Sequence, residues 1–201
     1  MTILAFDAFI RANQSGWGTA SDGESWANTR GTATVSITSN EGTLRTASSS
    51  FTVMQIGTKI AANQEILVRM KPASAVSSNQ GIVARFTNSN NFYYGVLFNN
   101  TAVIGKDVSN VFTTLTNPAF TFSTSNFYWL RFNLIGTTLR LRVWQDGTAE
   151  PTTWTATTTD SALASGGFGL ANDHATVDAQ FDHLTVTNAS TGSFDGYGGS
   201  I

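Results

Sequence analysis

The chain has 201 residues with a net charge of −2; 12% of them are charged and 41% hydrophobic. Only 11 Lys and Arg leave no electrostatic footprint for nucleic acid, and no apolar run reaches the ~18 residues that span a bilayer. The absence of Cys removes disulfides, thiolate catalysis and Cys–zinc sites.

Composition also carries a positive signal. Thr (30), Ser (20), Gly (18) and Asn (16) make up roughly two-fifths of the residues, well above ordinary usage. Residues 1–7 have neither a basic segment nor a long apolar one, which predicts no signal peptide. Trp17 and Trp26 bracket a Gly-rich loop and read as indoles that pin it. Short strands are predicted near 33–38, 42–47 and 51–56.

Stronger period-2 alternation follows. Ile66, Val68 and Met70 alternate with Leu67, Arg69 and Lys71. Ile82, Ala84 and Phe86 alternate with Val83, Arg85 and Thr87, and Phe92, Tyr94, Val96 and Phe98 with Tyr93, Gly95 and Leu97. Strands are also predicted near 101–106 and 111–116. Tyr128, Leu130, Phe132 and Leu134 alternate with Trp129, Arg131 and Asn133. Leu139, Leu141 and Val143 alternate with Arg140, Arg142 and Trp144. Weaker strands are expected near 153–158, 166–171 and 177–187.

Turns are predicted at Asn88-Ser89-Asn90-Asn91, Asn99-Asn100, Gly136-Thr137-Thr138 and Asp146-Gly147. Asp160 reads as the cap of a single helical turn over 160–164, and no longer segment shows a 3.6-residue period. About a dozen short strands at this spacing indicate a two-sheet sandwich or a closed barrel. The domain is expected to span 1–187. The Gly-rich tail over 188–201 reads as a flexible end or an arm that orders on a neighbouring subunit.

The residues that carry chemistry are sparse. There are four Glu and two His. A glycosidase needs two carboxylates about 5–10 Å apart, and the Glu-x-Asp-x-x-Glu spacing that would place them along a strand is missing. Asp178 and Asp182 are the remaining candidate acid pair. His174 and His183 each follow an Asp, but neighbours on a strand point to opposite faces, and no Gly-x-Ser-x-Gly elbow is present. The sequence therefore predicts no catalytic residues.

Arg69, Arg85, Tyr93, Trp129, Arg131, Arg140, Arg142 and Trp144 fall on the faces opposite the apolar alternation. If their strands are neighbours, one sheet face gathers Arg and Trp. Arg85, Tyr93, Trp129, Arg131, Arg142 and Trp144 are then candidate ligand-binding residues for a sugar or a protein. Equally, long side chains of this kind cover the outer face of a sandwich.

Several segments resemble concanavalin A-like (LamG-like) β-sandwich domains. These are Phe6-Asp7-Ala8-Phe9-Ile10-Arg11, Gly16-Trp17-Gly18 through to Trp26, Tyr128-Trp129-Leu130-Arg131-Phe132, Gly167-Phe168-Gly169-Leu170 and Phe181-Asp182-His183-Leu184-Thr185-Val186. Arg142-Val143-Trp144-Gln145-Asp146-Gly147 and the residues up to Trp154 are similar to a segment of such domains in minor tail proteins of actinobacterial phages. The resemblance spans about residues 4–187.

The resemblance implies an all-β jelly-roll sandwich of two antiparallel sheets with its first and last strands paired. The apolar parity changes between Phe181 and Leu184, so a β-bulge is expected at Asp182-His183. No cofactor is required by this reading. In some relatives acidic residues near the chain ends hold calcium, and Asp7 and Asp182 are the matching positions here.

The expected function is a non-enzymatic structural or adhesive protein at a virion surface, as a phage tail, fibre or capsid decoration. Its partners would be other virion subunits or further copies of itself, with cell-surface glycan as a further ligand, and neither nucleic acid nor membrane insertion. The alternatives are an extracellular carbohydrate-binding module of a secreted bacterial protein and a glycoside hydrolase of the same fold.

Overall fold

The computed structural model describes residues 2–47 and 50–189, and within them sixteen strands form two antiparallel sheets without a helix. In chain order the strands are β1 (Ile3–Asp7), β2 (Gln14–Ser15), β3 (Trp26–Arg30), β4 (Ala33–Thr38), β5 (Glu41–Thr46), β6 (Thr52–Ile56), β7 (Gln64–Lys71) and β8 (Gln80–Asn88). They continue as β9 (Asn91–Phe98), β10 (Thr101–Val108), β11 (Val111–Thr116), β12 (Tyr128–Ile135), β13 (Thr138–Gln145), β14 (Ala156–Thr159), β15 (Gly167–Asn172) and β16 (Ala179–Asn188).

The larger sheet runs β14-β13-β12-β7-β16-β5-β4-β2, with β1 added beside β16; the seven-stranded sheet runs β11-β10-β9-β8-β15-β6-β3. The first and last strands do pair, from Ile3 opposite Thr187 to Asp7 opposite Leu184. The same edge of β16 carries β5 further back, at Ala179 to Phe181. The expected bulge is present: the register of β16 on β7 shifts between Phe181 and His183. One inserted residue turns Phe181, Leu184 and Val186 all into the core.

The turns follow from residues that tolerate the left-handed region. Asn99-Asn100 closes β9–β10 with both φ positive, at 49° and 54°, and Ser109-Asn110 closes β10–β11 at 55° and 62°. Two positive φ values match the twist of a two-residue hairpin. The stretch 160–164 has a single bend, at Ala162, and no helical turn, although Asp160 Oδ1 does accept from the Ala162 amide at 2.9 Å. Of the proposed tail, residues 190–201 lie outside the described residues, and β16 itself reaches Asn188.

The main core lies between the sheets. Ile66, Val68 and Met70 of β7, Leu130, Phe132 and Leu134 of β12, and Leu139, Leu141 and Val143 of β13 face Ile82, Leu97, Ile104 and Phe168 of the smaller sheet. For β9 the expected faces are exchanged. Tyr93 and Leu97 point into this core, whereas Phe92, Tyr94 and Val96 join a second apolar cluster with Phe51, Val53, Val83, Phe86 and Val103. Both faces of β8–β10 are apolar, so alternation alone does not say which one faces the other sheet.

The second cluster lies on the outer face of the seven-stranded sheet, and the chain itself covers it. Phe51, just before β6, packs on Phe92 at 5.5 Å, Tyr94 at 5.6 Å and Phe112 at 5.4 Å. The Arg30 guanidinium lies over the rings of Phe92 and Phe112 at 5.5 and 5.0 Å. Beneath them Val53, Val83, Phe92 and Val96 are fully buried.

Candidate functional site

The outer face of the larger sheet gathers four of the sequence candidates. Across β12–β13, Trp129 is directly opposite Trp144 and Arg131 opposite Arg142. The two indoles stack at 6.2 Å with 16° between their planes. Each candidate is already engaged by the protein. Trp129 Nε1 donates to Asp146 at 2.8 Å. Arg131 forks onto Glu150 at 2.8 and 2.9 Å and reaches Glu65 with its third nitrogen at 2.5 Å. Arg142 donates to Glu150 Oε1 at 2.7 Å and to the Thr152 carbonyl at 3.0 Å, with Trp154 stacked 4.2 Å from its guanidinium. The segment after Asp146-Gly147 therefore folds back over these arginines, and Arg131, Arg142 and Trp144 are buried.

Arg85 and Tyr93 do not join that face, which corrects the expectation that all six share one surface. Arg85 lies at φ 45°, and the register of β8 slips there against both neighbouring strands. That bulge swings its side chain to three carbonyls, of Ala62, Leu163 and Gly136, at 2.8, 2.8 and 2.7 Å. The Tyr93 hydroxyl donates to Asp160 at 2.6 Å. Burial, and then that hydrogen bond, push its pKa up to about 12.

Asp7 and Asp182 are each held by their own arginine. Asp7 is fully buried and accepts from both terminal nitrogens of Arg11 at 2.8 Å, from Trp26 Nε1 at 2.7 Å, from the Ser21 hydroxyl at 3.1 Å and from the Phe9 amide at 2.9 Å. Burial alone would raise its carboxyl, but the hydrogen bonds from Arg11, Trp26 and Phe9 outweigh it and hold the pKa below the ordinary value. Asp182 pairs with Arg69, which also binds Asp146 at 2.8 Å. Calcium needs six or more oxygens. These two carboxylates do not fit it as placed, because guanidinium groups occupy them. Among the described residues no group of three or more His, Cys, Asp or Glu is arranged to hold a metal. Asp178 of the candidate acid pair faces Arg45 at 3.8 Å, so it too has a separate cation.

His183 completes an aromatic row on this face, edge-on to Phe6 and to Trp129, at 5.5 Å from each. Burial lowers its pKa from the ordinary 6.5. The unfolded chain then binds the proton more tightly than the folded one, so this contribution to stability is lost as pH falls through about 6.5. Thermal unfolding followed from pH 8 to pH 5 is expected to show that loss, and His183→Phe is expected to flatten it; an unchanged slope in the variant would count against this assignment.

An open cleft of about 520 Å³ lies at the smaller sheet, where the cover formed by Arg30 and Phe51 meets the tips of the β8–β9 and β10–β11 hairpins. Its volume is within the ~300–1,000 Å³ usual for small-ligand sites. Asn28, Thr29, Gly31, Ser50, Ser89, Asn90 and Asn110 complete its lining. Arg30 bridges the two sides. It donates to the Phe51 carbonyl at 3.2 Å, to the Ser89 carbonyl, to Asp107 at 2.8 Å and to Asn110 Oδ1 at 3.2 Å. Asp107 is fully buried, and its other oxygen has no partner among the described residues. Burial raises its carboxyl above the ordinary value in spite of Arg30.

None of these cleft residues was a sequence candidate. Asn90 reads as a turn residue, Asn110 falls between two predicted strands, and β3, which carries Arg30, shows no clean alternation. The amide nitrogens of Asn90 and Asn110 have no hydrogen bond to any described residue. With its amide turned to satisfy both groups, Asn28 instead holds its own turn, donating to the Gly31 carbonyl at 2.8 Å and accepting from the Ala33 amide at 3.1 Å.

No family model matches the chain, and no curated protein matches it in sequence. Solved structures do. One is the carbohydrate-binding module CBM66 from Bacillus subtilis, at 15% identity and TM-score 0.62, covering 80% of this chain and 94% of that one. The fold is the concanavalin A-like jelly roll. The exoplasmic/lumenal domain of VIP36 in its Ca²⁺-bound form matches at 11% identity and TM-score 0.58, covering 89% of each chain. A GH43 protein from Bacillus licheniformis matches at 15% identity and TM-score 0.64, covering 92% of this chain and 39% of that one. The chain thus spans about two-fifths of that GH43 protein. At such identities the likeness shows the fold alone.

Proposed function

We propose that this domain is a non-catalytic carbohydrate-binding module and that its glycan docks in the Arg30–Asn110 cleft. The observation that carries this reading is the pairing there of two solvent-exposed amides, which make no hydrogen bond to a described residue, with a guanidinium fixed by a buried carboxylate. A sugar hydroxyl both donates and accepts, and so do the amide and hydroxyl groups of the lining. The fold it shares with the carbohydrate-binding module CBM66 supports the reading without identifying the sugar.

The non-catalytic part rests on the carboxylates. Glu65, Glu150, Asp146 and Asp182 are bound by arginines, and Asp160 by Lys106 and Tyr93. A phage tail, fibre or capsid setting, at a virion surface and among other virion subunits, is supported only by the sequence resemblance around Arg142 to Trp154. Mass spectrometry of purified particles tests it, and absence of the chain from them would remove it.

Glycan-array screening followed by calorimetry tests the cleft. Asn90→Ala and Asn110→Gly each remove one amide while keeping the turn, since Gly accepts the φ of 62° at position 110. Each is expected to weaken binding about tenfold, the worth of one hydrogen bond left unmade. Trp129→Ala is expected to lower stability and leave affinity unchanged. The opposite pattern would move the site to the Trp129–Trp144 face.

A further inference from the structure

We infer that the cleft takes uncharged sugars and discriminates against uronic and other acidic ones; this rests on the glycan reading above. Recognition of a carboxylate by arginine draws its strength from two parallel N–H groups reaching one anion. Arg30 has five N–H groups. Its Nε–H goes to the Phe51 carbonyl, and its Nη1 hydrogens go to Ser89 and Asp107. One Nη2 hydrogen goes to Asn110 Oδ1, which leaves a single N–H for a ligand. The guanidinium also lies over the rings of Phe92 and Phe112, at 5.5 and 5.0 Å. A fork onto an acidic sugar is therefore closed.

Charge points the same way. Arg30 is the one ionisable side chain among the described residues lining the cleft, and Asp107 cancels it. The free Asn90 and Asn110 amides and one guanidinium N–H match hydroxyl oxygens, which need single neutral donors rather than a charged fork.

Calorimetric titration of the full chain with neutral xylo-, manno- and fructo-oligosaccharides, and with oligogalacturonates of similar length, tests the inference. One neutral series is expected to bind at least tenfold more tightly than the acidic one, with affinity insensitive to salt. Chemical-shift mapping is expected to move the side-chain amides of Asn90 and Asn110. Equal or tighter binding of the acidic series overturns the inference while leaving the glycan reading standing. No binding by either series, or by any sugar on an array, overturns the glycan reading and the inference with it.

Discussion

Asp7→Ala is expected to destabilise the protein by about 3–5 kcal/mol, the range for removing one member of a buried ion pair. The carboxylate is fully buried and gathers both terminal nitrogens of Arg11, Ser21, Trp26 and the Phe9 amide, so its loss leaves five donor atoms without this acceptor. It also ties the loop between β1 and β3 to the β1–β16 pair. Phe9, Trp17 and Trp26 pack there, with ring centroids 4.7–5.8 Å apart. For a domain of this size the change corresponds to a Tm lower by roughly 6–20 °C. Asp7→Asn, which keeps one acceptor, should fall between. Calorimetry of the three proteins measures this, and an Asp7→Ala Tm within about 2 °C of the parent would refute it.

Arg131→Met is expected to cost about 3 kcal/mol or more by the same mechanism. It leaves Glu65, which is buried, with only the Asn133 amide at 2.9 Å. Glu150 keeps Arg142 and loses its fork. The pH dependence separates this from a packing effect. Burial would raise the Glu150 carboxyl, but hydrogen bonds from Arg131 and Arg142 lower it below the ordinary 4.5. A lowered folded pKa contributes stability above about pH 4.5 that is lost as pH falls through the folded value. Urea unfolding between pH 7 and pH 3 should show this acid limb in the parent and a shallower one in Arg131→Met. Parallel limbs would mean that Arg131 is not what holds Glu150 ionised.

The jelly roll was legible because its signals are local. Tyr128 to Leu134 and Leu139 to Val143 alternate cleanly since one face of each is core and the other carries Arg, Asn or Trp. The bulge at Asp182 showed as a change of parity, and the Asn99-Asn100 hairpin as two residues that accept positive φ. The faces of β9 were not legible, because the second cluster makes both sides apolar. Neither was the turn of Arg85 out of its strand, which depends on carbonyls 23, 51 and 78 positions away in sequence.

The cleft is the clearest case of what sequence hides. Arg30 meets Asp107 across 77 residues and Ser89 across 59. No spacing rule connects a strand end with two hairpin tips. The residues that matter there, Asn90 and Asn110, have a sufficient local explanation as turn formers, and that explanation masks the second use of their amides.

The pairing of β1 with the end of β16 has a consequence for how this fold is joined to others. Ile3 and Thr187 are directly opposite, so the backbone comes in and goes out about 5 Å apart, one inter-strand spacing. Grafting the sandwich into a surface loop of a host protein would hardly stretch that loop. Two copies could likewise be threaded in series with short tethers, each hanging as a side bead from the line of the main chain.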